Sequence, residues 1–179
     1  MNSRWTLKDR REVFKDHVLK IEHRDFHYSR NEQTGTFTVL SMRDWAVAVP
    51  VTAENKLVLV RQFRVSTSEA TYEFPGGALD SGEDPMSGAE RELMEETGYE
   101  GGKLSLLSKM RPNPAFMDNF CYVYLAENCV KTAGLNLDPF EDLEPFEVSF
   151  SQFDDMIRKG EITHSITLAA YGAYKALKG

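Results

Sequence analysis

Cysteine is scarce in this chain: Cys121 and Cys129 are the only two in 179 residues, and their spacing suits neither a metal site nor a disulfide framework. An apolar run at the N-terminus is missing as well, so the expected compartment is the reducing cytoplasm, with no membrane partner. Positive charge is outnumbered, with 21 Lys and Arg against 28 Asp and Glu and a net charge of −7. That balance lacks the basic stripe of a nucleic-acid binder, so no stable nucleic-acid partner is expected. Any phosphate the protein handles must be met locally, by a metal or a few arginines. Repeats, low-complexity tracts and linkers are absent too. The expectation is therefore one domain over residues 1–179, whose 41% hydrophobic content suffices for a sizeable core.

What the chain has is acid concentrated in one segment, GALDSGEDPMSGAERELMEETGY, residues 77–99. Glu92, Glu95 and Glu96 fall at i, i+3 and i+4, so a helix places three carboxylates on one face. Like charges one turn apart cost a helix a few tenths of a kcal/mol each, which makes the face a poor choice for stability alone. A divalent cation resolves the conflict, and hard oxygen ligands suit Mg²⁺ or Mn²⁺. Asp84 as N-cap, Pro85 at the first helical position and Gly98 as a left-handed stop predict a helix over residues 85–97. Met86, Ala89 and Leu93 give it an apolar stripe, while Pro75, Gly76, Gly77 and Gly82 describe a loop ahead of it.

The order Gly77, Glu83, Arg91, Glu92, Glu95, Glu96, Gly98 at this spacing resembles a complete Nudix box. The resemblance implies metal-dependent cleavage of a nucleoside diphosphate linked to another moiety. Metals would neutralise the pyrophosphate and make a nucleophile of a bound water, so no covalent nucleophile is needed. It also implies roles: Glu92 and Glu96 as principal metal ligands, Glu95 as a further ligand or catalytic acid, and the carbonyl of Gly76 as a backbone ligand. Arg91 and Glu83 become an orienting pair, with Gly77 and Gly98 shaping the loop and the helix end.

Clusters of β-branched and aromatic residues between turn formers predict strands near 12–22, 24–30, 36–42, 46–51, 57–63, 72–74, 103–109, 119–126 and 146–150. Helices are expected near 151–159 and 165–178. This is a mixed sheet between helices, and the resemblance makes it the α/β class, an α/β/α Nudix sandwich with added N-terminal strands. Residues 1–44 would be that β extension, which in similar hydrolases is exchanged across a two-fold homodimer.

Features outside the box resemble the branch that hydrolyses ADP-ribose and related nucleoside diphosphate sugars. Arg61-Gln62-Phe63-Arg64 before Glu73-Phe-Pro-Gly-Gly77 is similar to its Gln-aromatic-Arg motif and nominates Arg64 for the phosphates, because a guanidinium forks bidentately onto them. Pro114 stands where such members carry a proline, and Phe116 and Met117 are candidate pocket residues. The acidic stretch from Glu141 resembles a mobile loop bearing the general base. Glu144 aligns best with that base, while Asp142 and Glu141 remain open. Tyr28, Trp45 and Phe26 are candidates for stacking on a base, beside a core or interface role. His164 is expected at a helix start. Two other readings stay in view: a hydrolase of dinucleoside polyphosphates, mRNA caps or nucleoside triphosphates, and a non-catalytic sensor of nucleotide sugars.

Overall fold

Every residue of the first strand, β1 (Trp5–Lys15), is exposed, so its hydrogen-bonded neighbour holds it in place. The computed structural model, which describes residues 4–178, places β1 antiparallel to β2 (Leu19–Tyr28), and β2 antiparallel to β3 (Gln33–Met42). The turn between β1 and β2 is made by Asp16, whose carboxylate accepts the N–H groups of Val18 and Leu19, each at 2.8 Å. The expected strand over 12–22 is therefore wrong. Asp16 reverses the chain inside it, and β1 begins at Trp5, because backbone pairing overrides the poor strand propensity of a Lys-Asp-Arg-Arg run. Glu22 is buried in the middle of this sheet and is neutralised by Lys20 at 2.7 Å and Arg24 at 2.6 Å.

These three strands and Arg111–Phe120 make one compact unit, and Asp44–Met110 with Cys121 onward make a second. The grouping joins residues 111–120 to the N-terminal strands. It rests on backbone bonds, since Leu40 N–H donates to the Phe116 carbonyl at 2.7 Å and Asp118 N–H donates to the Leu40 carbonyl at 3.2 Å. Arg24 adds an ion pair to Asp118 at 2.5 Å.

The second unit is a mixed sheet with helices on both faces. Its elements are β4 (Trp45–Thr52), β5 (Lys56–Arg64), β6 (Glu69–Glu73), β7 (Gly76–Ala78), α1 (Pro85–Thr97), β8 (Tyr99–Glu100), β9 (Lys103–Met110), β10 (Cys121–Lys131), β11 (Leu143–Ser149), α2 (Phe150–Arg158) and α3 (Ser165–Lys178). Strand β4 pairs parallel with β10 and antiparallel with β5 and β7; β5 in turn carries β6 and β11.

Alternation along β4 assigns the layers, because successive side chains of a strand point to opposite faces. Ala46 and Ala48 face α1, clustering with Leu79, Ala89, Leu93, Tyr124 and Ala126. Val47 and Val49 face the other way, into a larger core with Phe153 of α2 and Ile166, Ala170 and Tyr171 of α3. The small residues on the first face let α1 lie close to the sheet. The expected α/β/α sandwich is what forms, with N-terminal antiparallel strands beside it in the sequence.

Candidate active site

Helix α1 is fixed at both ends by the residues that the sequence marks. Asp84 accepts from Met86 N–H and Ser87 N–H at 3.1 Å, Pro85 opens the helix, and Gly98 closes it in the left-handed region at φ 72°. So anchored, the helix turns Glu92 and Glu96, one turn apart, onto its buried face together with Ala89 and Leu93. The loop before it approaches those acids directly. Gly76 N–H donates to Glu96 Oε2 at 2.9 Å. A Cβ on Gly77 would stand 2.5 Å from Glu92 Oε1, so a side chain there would push that carboxylate aside.

Arg91 organises the other acids. Its Nε and Nη2 pair with both oxygens of Glu83, at 2.9 and 3.1 Å, while Nη1 donates to Glu92 at 2.9 Å and Glu95 at 3.0 Å. Glu83 also accepts Asp80 N–H at 2.8 Å, which ties the loop to the helix through one guanidinium. These bonds hold the Arg91 proton more tightly than usual, Glu83 contributing most.

Burial pushes the Glu96 carboxyl up to about 8 against the opposing Gly76 N–H bond, and the charges of Glu92 and Glu141 push the same way. Burial raises Glu92 also, in spite of Arg91. Two carboxylates withdrawn from water beside each other are costly unless a cation shares them. Among the described residues no three His, Cys, Asp or Glu side chains are already drawn together around one point. Arg91 takes one oxygen each of Glu92 and Glu95. The donor set still fits a hard divalent ion, because Mg²⁺ is usually held by one or two carboxylates and completed by water and substrate phosphate.

A cavity of about 730 Å³ opens beside the glycine loop, lined by Trp45, Arg64, Thr71, Gly76, Gly77 and His164 among others. Arg64, at the end of β5, is not a loose surface arginine. Its Nε and Nη2 take the two oxygens of Glu73 at 2.7 and 2.6 Å, and Glu73 is only 2% exposed. Thr71 donates to the same carboxylate at 2.5 Å, and His164 Nδ1 lies 3.2 Å from it and 2.9 Å from Thr167 Oγ1. His164 sits immediately before α3, as expected, yet it also reaches this cavity. Glu73, read only as part of a motif, and His164, read only as a helix start, were given no role at the site by the sequence; the available signal for Glu73 was a charged side chain at the strand end that runs into the glycine loop.

The three loop acids separate. Glu144 lies on β11 opposite Arg61 of β5 and is exposed, and Asp142 is exposed with its carbonyl accepting Phe63 N–H at 3.0 Å. Glu141 is half-buried, and its charge acts on Glu92, Glu96 and Arg64. In the first unit Pro114, Phe116 and Met117 line a separate cavity of about 560 Å³ with Trp5, Phe26 and Phe37. Tyr28 stacks on Trp5 at 4.3 Å between ring centres. Cys121 is buried in β10, and burial pushes its thiol up to about 12, which leaves it inert at neutral pH.

A glycine loop closed onto a capped helix, with buried glutamates between them in an α/β/α sandwich, defines a class of small hydrolases that depend on divalent metal. The chain belongs to the Nudix family: the sequence profile of the NUDIX domain matches residues 42–170. It is 33% identical over 162 residues to the methanol dehydrogenase activator of Bacillus methanolicus, covering 89% of this chain and 86% of that one. It is 37% identical over 127 residues to the ADP-ribose pyrophosphatase of Bacillus subtilis, covering 70% and 69% of the two chains. GDP-mannose pyrophosphatase of Escherichia coli is 35% identical over 126 residues, 65% of each chain. A crystal structure of an ADP compounds hydrolase matches the fold with a TM-score of 0.85 at 20% identity, over 98% of this chain and 94% of that one.

Proposed function

We propose that this enzyme hydrolyses the pyrophosphate bond of ADP-ribose or a related nucleoside diphosphate sugar, giving a nucleoside monophosphate and a sugar phosphate. The observation that carries the reading is the cavity beside Gly76 and Gly77, where Arg64 stands at the wall and about 730 Å³ is available. That volume lies within the usual range for a small-molecule site, roughly 300–1,000 Å³. The ADP-ribose and GDP-mannose pyrophosphatases among its relatives support the same substrate class.

Glu92 and Glu96 would hold the metal, with Glu95 and the Gly76 carbonyl as further donors and Mg²⁺ as the ion, Mn²⁺ substituting. When bound, the metal neutralises the pyrophosphate and acidifies the attacking water. Arg64 orients the phosphates, and the Arg91–Glu83 pair keeps loop and helix in register. Glu141 is assigned the proton from water, supported by the reach of its charge to Glu92 and Glu96; Glu144 and Asp142 are the alternatives. All the box acids are present, which favours turnover over ligand sensing.

We further propose a homodimer built on the N-terminal strands, since Trp5, Val13, Phe14 and Phe37 are large apolar side chains left exposed on them. A cytoplasmic setting is supported by Cys121 and Cys129, both free and buried. No helix among the described residues is long and apolar enough to cross a membrane.

The deciding experiment is phosphate release, coupled to a phosphatase, from ADP-ribose, GDP-mannose, UDP-glucose, diadenosine polyphosphates and nucleoside triphosphates with each metal. AMP and ribose 5-phosphate from ADP-ribose are the expected products. Faster pyrophosphate release from a triphosphate would move the enzyme to another branch.

A further inference from the structure

A buried carboxylate beside a cavity-lining arginine needs an explanation beyond stability. Ion pairs taken out of water are often no more stabilising than apolar pairs of the same volume, so holding β5 to β6 would not require one. What the Arg64–Glu73 pair does provide is orientation. A guanidinium is a rigid plane with five N–H donors. Glu73 occupies the edge formed by Nε and Nη2, at 2.7 and 2.6 Å. The Nη1 group and the outer hydrogen of Nη2 then form a second fork on the adjoining edge, in a side chain that lines the cavity.

Glu73 is itself immobilised. It accepts from Thr71 at 2.5 Å, and His164 Nδ1, 3.2 Å from it, is braced by Thr167 Oγ1. Thr167 Oγ1 also accepts Phe74 N–H at 3.3 Å, so the chain of contacts runs from the start of α3 into the backbone just ahead of the glycine loop. The Arg64 head is thereby held at Nε and Nη2 by a carboxylate that is itself buried and hydrogen-bonded. Burial works against the charge on Glu73, yet Arg64 and His164 hold its carboxyl below the ordinary range, so the plane is gripped by a full anion at neutral pH.

We propose that Glu73 is the positioning residue of Arg64: with Thr71 and His164 behind it, it fixes the guanidinium so that the remaining fork meets the diphosphate bidentately. This rests on the reading that Arg64 contacts the substrate phosphates. Glu73 lines the same cavity, and the role proposed for it passes through the Arg64 guanidinium that it holds.

The test is a double-mutant cycle on the full-length protein, with α,β-methylene-ADP as a diphosphate that is not cleaved and calorimetry as the readout. R64A and E73Q should each weaken binding about tenfold, and R64A/E73Q should bind no worse than R64A alone, because the two residues act as one unit. With ADP-ribose, E73Q should raise KM while kcat stays within about threefold, a split that general loosening of the fold does not produce. Losses that multiply in the double variant, unchanged binding in E73Q, or unchanged binding in R64A would each overturn the proposal. Should E73Q not fold, R64K decides: an ammonium has no fork, so a loss close to that of R64A supports the proposal, and binding within about twofold of wild type overturns it. Coupling in the cycle together with no AMP from ADP-ribose by the wild type retires the substrate reading and leaves the positioning role standing.

Discussion

Gly77 stands so close to Glu92 that any side chain at 77 must displace the carboxylate, the nearest approach being 2.5 Å from the Cβ position to Oε1. Because the obstructing atom is the end of a side chain, the fold can yield while the site cannot. Gly77→Ala should therefore lower kcat/KM with ADP-ribose at least about tenfold while changing Tm by only a few degrees, measured by calorimetry alongside the assay. Wild-type activity in this variant would mean that the position of Glu92 is not critical.

Removing one buried anion separates catalysis from stability. Glu96→Gln should reduce turnover at least about a hundredfold with an unchanged circular dichroism spectrum, a size typical when a catalytic group is lost. Gln carries no charge to bury, so in chelator at pH 8.5 the variant should melt no lower than wild type. Added Mg²⁺ should raise the wild-type Tm and move the variant much less. Activity above a tenth of wild type would remove Glu96 from the metal site.

The loop acids can be ranked by the rate at saturating substrate. Glu141→Gln should lower kcat about tenfold or more, with Asp142→Asn and Glu144→Gln closer to wild type, because a general base acts in the transition state. If Glu144→Gln is the most damaging, the loop and the start of β11 rearrange before the chemistry. If none of the three falls, no loop base is used.

Stability should decline in acid through the cluster behind Arg64. Burial lowers the pKa of His164 below its usual 6.5, so the folded state binds that proton less tightly than the unfolded chain does. The resulting stability is fully present above pH 6.5 and is lost as pH falls through the lower folded value. Glu73, held below its usual 4.5, adds a second loss of the same sign at more acid pH. Glu96 and Glu92, raised by burial, gain stability over the same range, so the readout is a difference: in thermal melts from pH 7.5 to 4.5, the Tm of wild type relative to that of His164→Asn should fall below pH 6.5. Equal slopes in both proteins would refute the assignment.

The box helix was legible because its signals are local: Asp84, Pro85 and Gly98 mark its ends, and the i, i+4 spacing of Glu92 and Glu96 fixes their common face. The layers were legible for a similar reason, since the runs around Val47 and Val58 show buried strands directly. Partnerships made by distant chain segments were not. Arg64 meets Glu73 only because β5 and β6 pair, and His164 joins them from a helix start almost a hundred residues on, a contact that no local pattern encodes. Strand β1 escaped notice because its Lys, Asp and Arg run has no apolar alternation to read. The grouping of Pro114, Phe116 and Met117 with Trp5 and Phe37 depends on backbone bonds to Leu40 that no pattern in the sequence encodes.

The parallel pairing of β4 with β10, in which Cys121 sits opposite Trp45, encloses the glycine loop, α1 and β9 within one long chain excursion. Such a pairing costs the loop-closure entropy of the entire excursion before it is rewarded, so it belongs to the slow part of folding. Ala46, Ala48, Tyr124 and Ala126, on those same two strands, form the surface against which α1 lies. Glu92 and Glu96 thus reach their final depth only once the two strands have met. Recovery of hydrolysis during refolding should lag behind the return of helical signal, which makes the enzyme's own turnover a reporter of its last assembly step.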